Sequence, residues 1–194
     1  MSAALSSRRL LGLAVPALCA VVLGGPLGCS RSQADVSGTA KPVSSTAGSV
    51  LSAGSAAPEV TFAVHTGESV SLASLRGKPV IVYFYPKDDT PGCTVEAQEI
   101  RDLYEELKRT GVVVIGVSSD GRDSHRAFAE KHALPFLLAS DESGELAKAF
   151  GVTLKNGRST RVSFVIGADG KVKRVFPQVT PKGHAAELLA VLSS

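Results

Sequence analysis

The sequence predicts an α/β domain whose mixed central sheet is flanked by helices, and three observations carry that prediction. Two continuous apolar runs, Val80 to Tyr85 and Val112 to Val117, read as strands buried on both faces. Between them, from Thr94 to Thr110, apolar residues recur at the three-and-four spacing of one helix face. Further on, Arg161 to Ile166 and Lys171 to Phe176 read as strands joined by Gly167-Ala168-Asp169-Gly170, a hairpin signal that adds antiparallel pairing to the sheet.

From the N-terminus, Arg8 and Arg9 precede an apolar stretch from Leu10 to Leu27, and no acidic residue comes before Asp35. A positive start followed by a hydrophobic run is the pattern of an export signal, and residues 1–29 are read as one. A retained membrane helix is the rival reading, against which Pro16, Gly24, Gly25 and Pro26 count. Leu27-Gly28-Cys29-Ser30 resembles the lipobox of bacterial lipoproteins, in which the cysteine is lipidated and becomes the new N-terminus, although Pro26 stands where that pattern has Leu. Ser7-Arg8-Arg9-Leu10-Leu11 also loosely resembles a twin-arginine signal. Each reading puts the domain outside the cytoplasm, in a bacterial periplasm or on a membrane as a lipoprotein held through Cys29. Residues 30–49 are mostly Ser, Ala, Gly and Thr, too poor in large apolar side chains to offset their ordering entropy, and are expected to form a flexible tether.

The folded domain is expected over residues 50–194. After the first strand, the Thr94 to Thr110 helix turns Ala97, Ile100, Leu103, Tyr104 and Leu107 inward, carries Glu96 and Glu99 early and Lys108 and Arg109 late, and stops at Gly111. After the second strand come helices over Arg122 to His132 and Glu142 to Phe150, a loop over Val152 to Thr160, the hairpin, and a last helix from Pro181 to Leu192. Strand, helix, strand and helix followed by a hairpin and a helix is the thioredoxin-like order.

Composition narrows the function. The chain's 194 residues, 44% hydrophobic and 20% charged, suffice for one domain with a core plus appendages. Lys+Arg total 21 against Asp+Glu 18, which excludes the strongly basic surface of a nucleic-acid binder. Cys19, Cys29 and Cys93 are too few and too irregular for a disulfide framework or a zinc cage. Of His65, His125, His132 and His184 only His125 and His132 can share a helix face, so no metal site is expected, and no cofactor motif is present. Lys87, Asp88 and Asp89 read either as shaping a site entrance or as a solvated turn.

Cys93 is the one cysteine of the folded part. It follows a strand end and a turn-rich loop, just where the Thr94 helix starts. A thiol there meets unpaired backbone N–H groups and the positive end of the helix dipole, both of which favour the reactive thiolate. The plainer reading of a lone cysteine is a small buried hydrophobe.

Tyr83-Phe84-Tyr85-Pro86-Lys87-Asp88-Asp89-Thr90-Pro91-Gly92-Cys93-Thr94-Val95-Glu96-Ala97 resembles the active-site segment of the peroxiredoxins, in particular the peroxiredoxin Q group, also called bacterioferritin comigratory proteins. Pro86, Thr90 and Cys93 match the PxxxTxxC signature of the superfamily. The likeness extends through Leu75-Arg76-Gly77-Lys78-Pro79, Gly116-Val117-Ser118, Phe128-Ala129-Glu130-Lys131, Arg161-Val162-Ser163-Phe164 and Gly183-His184, and so over nearly the whole domain.

The resemblance implies a thiol-dependent peroxidase for hydrogen peroxide and organic hydroperoxides, working through a Cys93 sulfenic acid. It implies that Thr90 aligns peroxide and thiolate, that Pro86 shields the thiolate, and that Arg161 holds it ionised and stabilises charge on the breaking O–O bond. Taken singly, Thr90 reads equally as a helix cap, Pro86 as a strand terminator and Arg161 as a surface cation. In many group members a resolving cysteine lies five residues after the peroxidatic one, and here that position is Gln98. The chain is therefore expected to be a one-cysteine variant reduced by an external thiol or a thioredoxin-like partner. A tether reach of roughly 25 Å leaves Cys29 as an alternative resolving thiol. Two rival functions stand beside this one: an extracytoplasmic thiol-disulfide oxidoreductase, weakened because Thr90 replaces the first cysteine of CxxC, and a non-catalytic redox sensor or binding module. Monomer and homodimer both remain open.

Overall fold

The computed structural model describes residues 49–194; the export-signal and lipobox readings, and all but the last residue of the tether, lie outside the described residues. In chain order the elements are β1 (Thr61–Val64), β2 (Ser69–Ser71), a single 3-10 turn (Leu72–Leu75), β3 (Val80–Phe84), α1 (Pro91–Asp102), α2 (Tyr104–Arg109), β4 (Val113–Ser118) and α3 (Arg122–His132). There follow β5 (Leu137–Ser140), α4 (Glu145–Phe150), β6 (Leu154–Lys155), β7 (Arg158–Ser159), β8 (Val162–Ile166), β9 (Val172–Phe176) and α5 (His184–Leu192).

A seven-stranded sheet runs in the order β2-β1-β5-β4-β3-β8-β9. β3, β4 and β5 are parallel neighbours, and β1, β2, β8 and β9 pair antiparallel around them, giving the mixed thioredoxin-like sheet flanked by helices. β3 lies inside the sheet between β4 and β8 and every one of its residues is buried, which is why it reads as an unbroken apolar run rather than an alternating one.

Its alternation shows instead in which core each residue joins. Val80, Val82 and Phe84 pack on one face with Phe62, Ile115, Phe150 and Phe164. Ile81, Tyr83 and Tyr85 pack on the other with Cys93, Ile100, Leu107, Phe128, Phe136 and Leu188. Hence α1, α2, α3 and α5 cover the second face, while α4, together with Ala57 before β1 and Leu72 of the 3-10 turn, covers the first.

Several local expectations change. The helix expected over Thr94 to Thr110 begins at Pro91 and divides at Leu103, whose φ of −96° and ψ of 8° leave the helical region. α2 then carries its own complement of charges, Glu105 and Glu106 in its first turn and Lys108 and Arg109 in its last. The helix expected from Glu142 starts at Glu145, because Asp141 accepts hydrogen bonds from the N–H groups of Leu146 (2.9 Å) and Ala147 (2.8 Å) and Gly144 turns the chain at φ 74°. The last helix likewise starts at His184 rather than Pro181. The loop expected over Val152 to Thr160 folds as the hairpin β6–β7 around Asn156-Gly157, both at positive φ. β1, β2 and β5, of three or four residues each, are too short to show a period in the sequence.

Candidate active site

α1 begins where β3 ends, with Thr90 in extended conformation at the N-cap, Pro91 in the first helical position and Cys93 in the first turn. The first intrahelical hydrogen bond runs from the Thr94 N–H to the Thr90 carbonyl at 2.9 Å. The N–H groups of Gly92 and Cys93 therefore have no partner within the helix. Cys93 itself is 2% exposed and free of any disulfide.

Two side chains converge on its sulfur. Thr90 Oγ1 lies 2.8 Å from Sγ and within 3.1 Å of the Lys87 carbonyl, so its hydroxyl does not cap the helix backbone but points across the turn to the thiol. Arg161 Nη2 donates to Sγ at 3.1 Å from the other side. A cationic donor and a hydroxyl donor thus point at one sulfur from opposite sides.

Arg161 arrives by register. Phe84 pairs with Val162 across the antiparallel β3–β8 ladder, which sets the residue before Val162 beside the start of the loop. Ser159 Oγ fastens the approach to β8 by donating to the Tyr85 carbonyl at 2.7 Å. Gly92 completes the fit: a Cβ there would lie 2.9 Å from Arg161 Nη2, so a side chain would push the guanidinium away from the sulfur. Pro86 is half-buried at the exit from β3, where the missing N–H of its ring leaves no ladder bond unmade.

Glu96, read from the sequence only as an early acid of the helix, sits three residues after Cys93 on the same side of α1 and is 1% exposed. Its Oε2 accepts from Arg161 Nη1 at 2.5 Å, while Oε1 is buried without a partner. Burial pushes its carboxyl up to about 7 against the pull of Arg161. The Tyr83 hydroxyl is also buried and unpartnered, and burial, with Glu96 next, raises its pKa well above the ordinary value. Its ring occupies the space over Gly116, where a Cβ would come within 2.7 Å of it.

The charged loop differs from the solvated turn that was one reading of it. Asp88 is buried, accepting from Tyr85 Oη at 2.7 Å, Ser124 Oγ at 2.7 Å and His125 Nδ1 at 2.9 Å. Burial raises its pKa, but these hydrogen bonds and the His125 charge outweigh that and hold it below the usual carboxylate range. Only Lys87 and Asp89 face solvent. Gln98, at the position of the missing resolving cysteine, donates to His132 Nδ1 at 3.3 Å and so ties α1 to the end of α3. Cys93 is the only cysteine among the described residues, and among them no group of three His, Cys, Asp or Glu side chains is arranged to hold a metal ion.

A cysteine at a helix N-terminus, with a threonine and an arginine on its sulfur, can act as a nucleophile toward a small polar electrophile. A family model described as AhpC/TSA matches residues 53–175. A curated relative, "Putative peroxiredoxin bcp" of Coxiella burnetii, is 41% identical over 149 residues, covering 73% of this chain and 99% of that protein. "Peroxiredoxin Q, chloroplastic" of Sedum lineare is 44% identical over 144 residues, covering 73% of this chain and 77% of the relative. Among solved structures, peroxidoxin BcpB of Mycobacterium tuberculosis matches with a TM-score of 0.69 at 33% identity, over 74% of this chain and 97% of that one. Peroxiredoxin Q of Xanthomonas campestris matches with a TM-score of 0.67, also at 33% identity, over 74% and 96%.

Proposed function

The chain belongs to the AhpC/TSA family, in its peroxiredoxin Q group, and is a thiol-dependent peroxidase; from that premise we propose that Cys93 is its peroxidatic thiol. The family implies a peroxide as substrate and a thiol or thioredoxin-type protein as reductant. The observation that carries the assignment is the convergence of Thr90 Oγ1 and Arg161 Nη2 on Cys93 Sγ at a helix N-terminus.

In the proposed step a lone pair of the Cys93 thiolate forms an S–O bond to the terminal peroxide oxygen as the O–O bond breaks. The departing oxygen leaves with the O–O electron pair and takes up a proton as water or an alcohol, and the cysteine is left as a sulfenic acid. Thr90 accepts a hydrogen bond from the peroxide while donating to the sulfur, aligning nucleophile and electrophile. Arg161 stabilises the thiolate and the negative charge that develops on the breaking bond, and the Cys93 N–H is a further donor toward it. Pro86 limits water at the sulfur and stiffens the loop.

With Gln98 in place of a resolving cysteine, the cycle is a one-cysteine cycle in which the external reductant attacks the sulfenic acid directly. Dithiol exchange is disfavoured because Thr90 stands where a CxxC motif has its first cysteine. The basic and apolar pattern of residues 8–27, the lipobox-like Cys29 and the small-residue spacer after it support export, with the domain in the periplasm or tethered to a membrane. The decisive experiment is intact mass after one equivalent of hydrogen peroxide with a sulfenic-acid trap. A single fast adduct is expected in the wild type and none in Cys93→Ser; an unmodified Cys93 in folded wild-type protein overturns the assignment.

A further inference from the structure

Thr90 aligns a peroxide only if the loop that carries it is held still, and within the loop its hydroxyl has only the Lys87 carbonyl, at 3.1 Å, as a partner. Asp89, immediately before Thr90, sits at φ 55°, a left-handed conformation that residues with side chains seldom adopt. The restraints come from α3, which lies across the loop. His125 and Ser124 of α3 bond the Asp88 carboxylate, and Lys131 Nζ and His132 Nε2 each bond Asp89 Oδ1 at 2.9 Å.

We propose that α3 acts as the template of the catalytic loop and that the buried His125–Asp88 pair is a positioning element for peroxide reduction, setting the Thr90 hydroxyl against Cys93. The inference rests on Cys93 being the peroxidatic thiol. Asp88 is 5% exposed and His125 fully buried, and both are anchored on every side. Asp88 N–H donates to Asp120 Oδ2 at 2.9 Å, and that oxygen also accepts from Ser118 Oγ at the end of β4 at 2.7 Å. His125 Nε2 reaches the Ala139 carbonyl of β5 at 3.1 Å, so the ring cannot turn without breaking its hydrogen bonds to both β5 and Asp88. Tyr85 completes the set at the loop's other end, bonding Asp88 through its hydroxyl. The loop is thus referenced to β4, β5 and α3 together, through a network whose central members Asp88, His125 and Tyr85 are shielded from water, with Ser124 at its exposed rim. His132 with Asp89 is solvated by comparison, and water substitutes there.

A positioning role and a merely structural one separate by choice of electrophile. Reduction of a peroxide needs Thr90 in place, whereas alkylation by iodoacetamide draws on the thiolate alone. Rate constants for both reactions are to be measured on the purified protein and on His125→Gln, Asp88→Asn and His132→Gln. For the two buried substitutions the hydrogen peroxide rate is expected to fall about 10- to 100-fold, the scale of an ångström-sized misplacement, with alkylation little changed. For His132→Gln the peroxide rate falls by at most about 5-fold. Folded His125→Gln and Asp88→Asn proteins with the wild-type peroxide rate, or with both rates reduced together, overturn the proposal. Wild-type protein that alkylates but does not react with peroxide overturns the assignment of Cys93 instead. Should the buried substitutions fail to fold, Tyr85→Phe and Ser124→Ala each delete one hydrogen bond to Asp88 and carry the same test; a selective loss of peroxide rate is expected in both, and its absence from both overturns the proposal.

Discussion

The two faces of the sheet are built from the same strands and do different work. On the face covered by α4, β3 contributes Val80, Val82 and Phe84 to a core where Phe84, Phe150 and Phe164 meet at ring distances of 5.0 to 6.0 Å, and the buried Asp141 carboxylate serves only to cap α4. On the face covered by α1, α3 and α5, the intervening residues Tyr83 and Tyr85 carry hydroxyls inward, among buried Asp88, Glu96, His125 and His184. One strand therefore supplies stability from one side and chemistry from the other. The difference teaches that the cost of burying polar groups beside Cys93 is carried by an apolar face that makes no concession to function.

Stability and rate are then separable, and the first way to break the comparison is on the apolar face. Phe164→Ala opens a cavity in the aromatic cluster and is expected to cost about 3–5 kcal/mol in urea unfolding, with the peroxide rate per folded molecule unchanged. A large loss of rate in the folded fraction would show that the two faces are coupled. Next comes the converse substitution on the polar face. Arg161→Met removes the cation from the sulfur and is expected to lower the rate constant of Cys93 with hydrogen peroxide by about 10²–10³, by analogy with loss of one preorganised donor. It also relieves Glu96 of its partner, so the thermal midpoint is to be read in parallel.

The smallest effect is a dependence on pH. Glu96 has its folded carboxyl at about 7 rather than 4.5, so the folded state holds that proton more tightly than the unfolded chain does. The resulting stabilisation is complete below pH 4.5 and is lost as pH rises through 7, and it amounts to roughly 3 kcal/mol. His184, lowered chiefly by burial, works in the opposite direction below its ordinary value of 6.5. The measurement is therefore the difference in unfolding free energy between wild type and Glu96→Gln from pH 4.5 to 8. That difference should change with pH in the direction given; a constant difference would mean that Glu96 is ionised throughout and that its pair with Arg161 outweighs its burial.

Legibility followed the range of the interactions. β3, β4, α3 and the β8–β9 hairpin appear in the sequence within a residue or two of their ends, because long apolar runs, helical spacing and Gly-rich turns are local signals. Cys93, Thr90 and Pro86 lie within one short loop whose residue types already suggest a reactive thiol at a helix start, and Arg161 was found only through the resemblance. Glu96 was within reach, since a carboxylate three residues after the thiol shares its helix face, but its burial was not. Asp88 reads as part of a site entrance or of a solvated turn, and no local pattern announces a buried carboxylate whose partner, His125, lies on a distant helix.

By itself, then, the sequence determined the α/β class, the parallel core with its hairpin, and a thiol at a helix start with a hydroxyl three residues before it, because periodicity, turn chemistry and a contiguous motif are written in neighbouring residues. The tertiary structure alone decided that Arg161 reaches the sulfur, that Glu96 shares that arginine, that α1 ends at Asp102, and that α3 grips the loop before Cys93. Those outcomes depend on strand register and on which side chains are cut off from water, and both are properties of the packed chain rather than of any stretch of it.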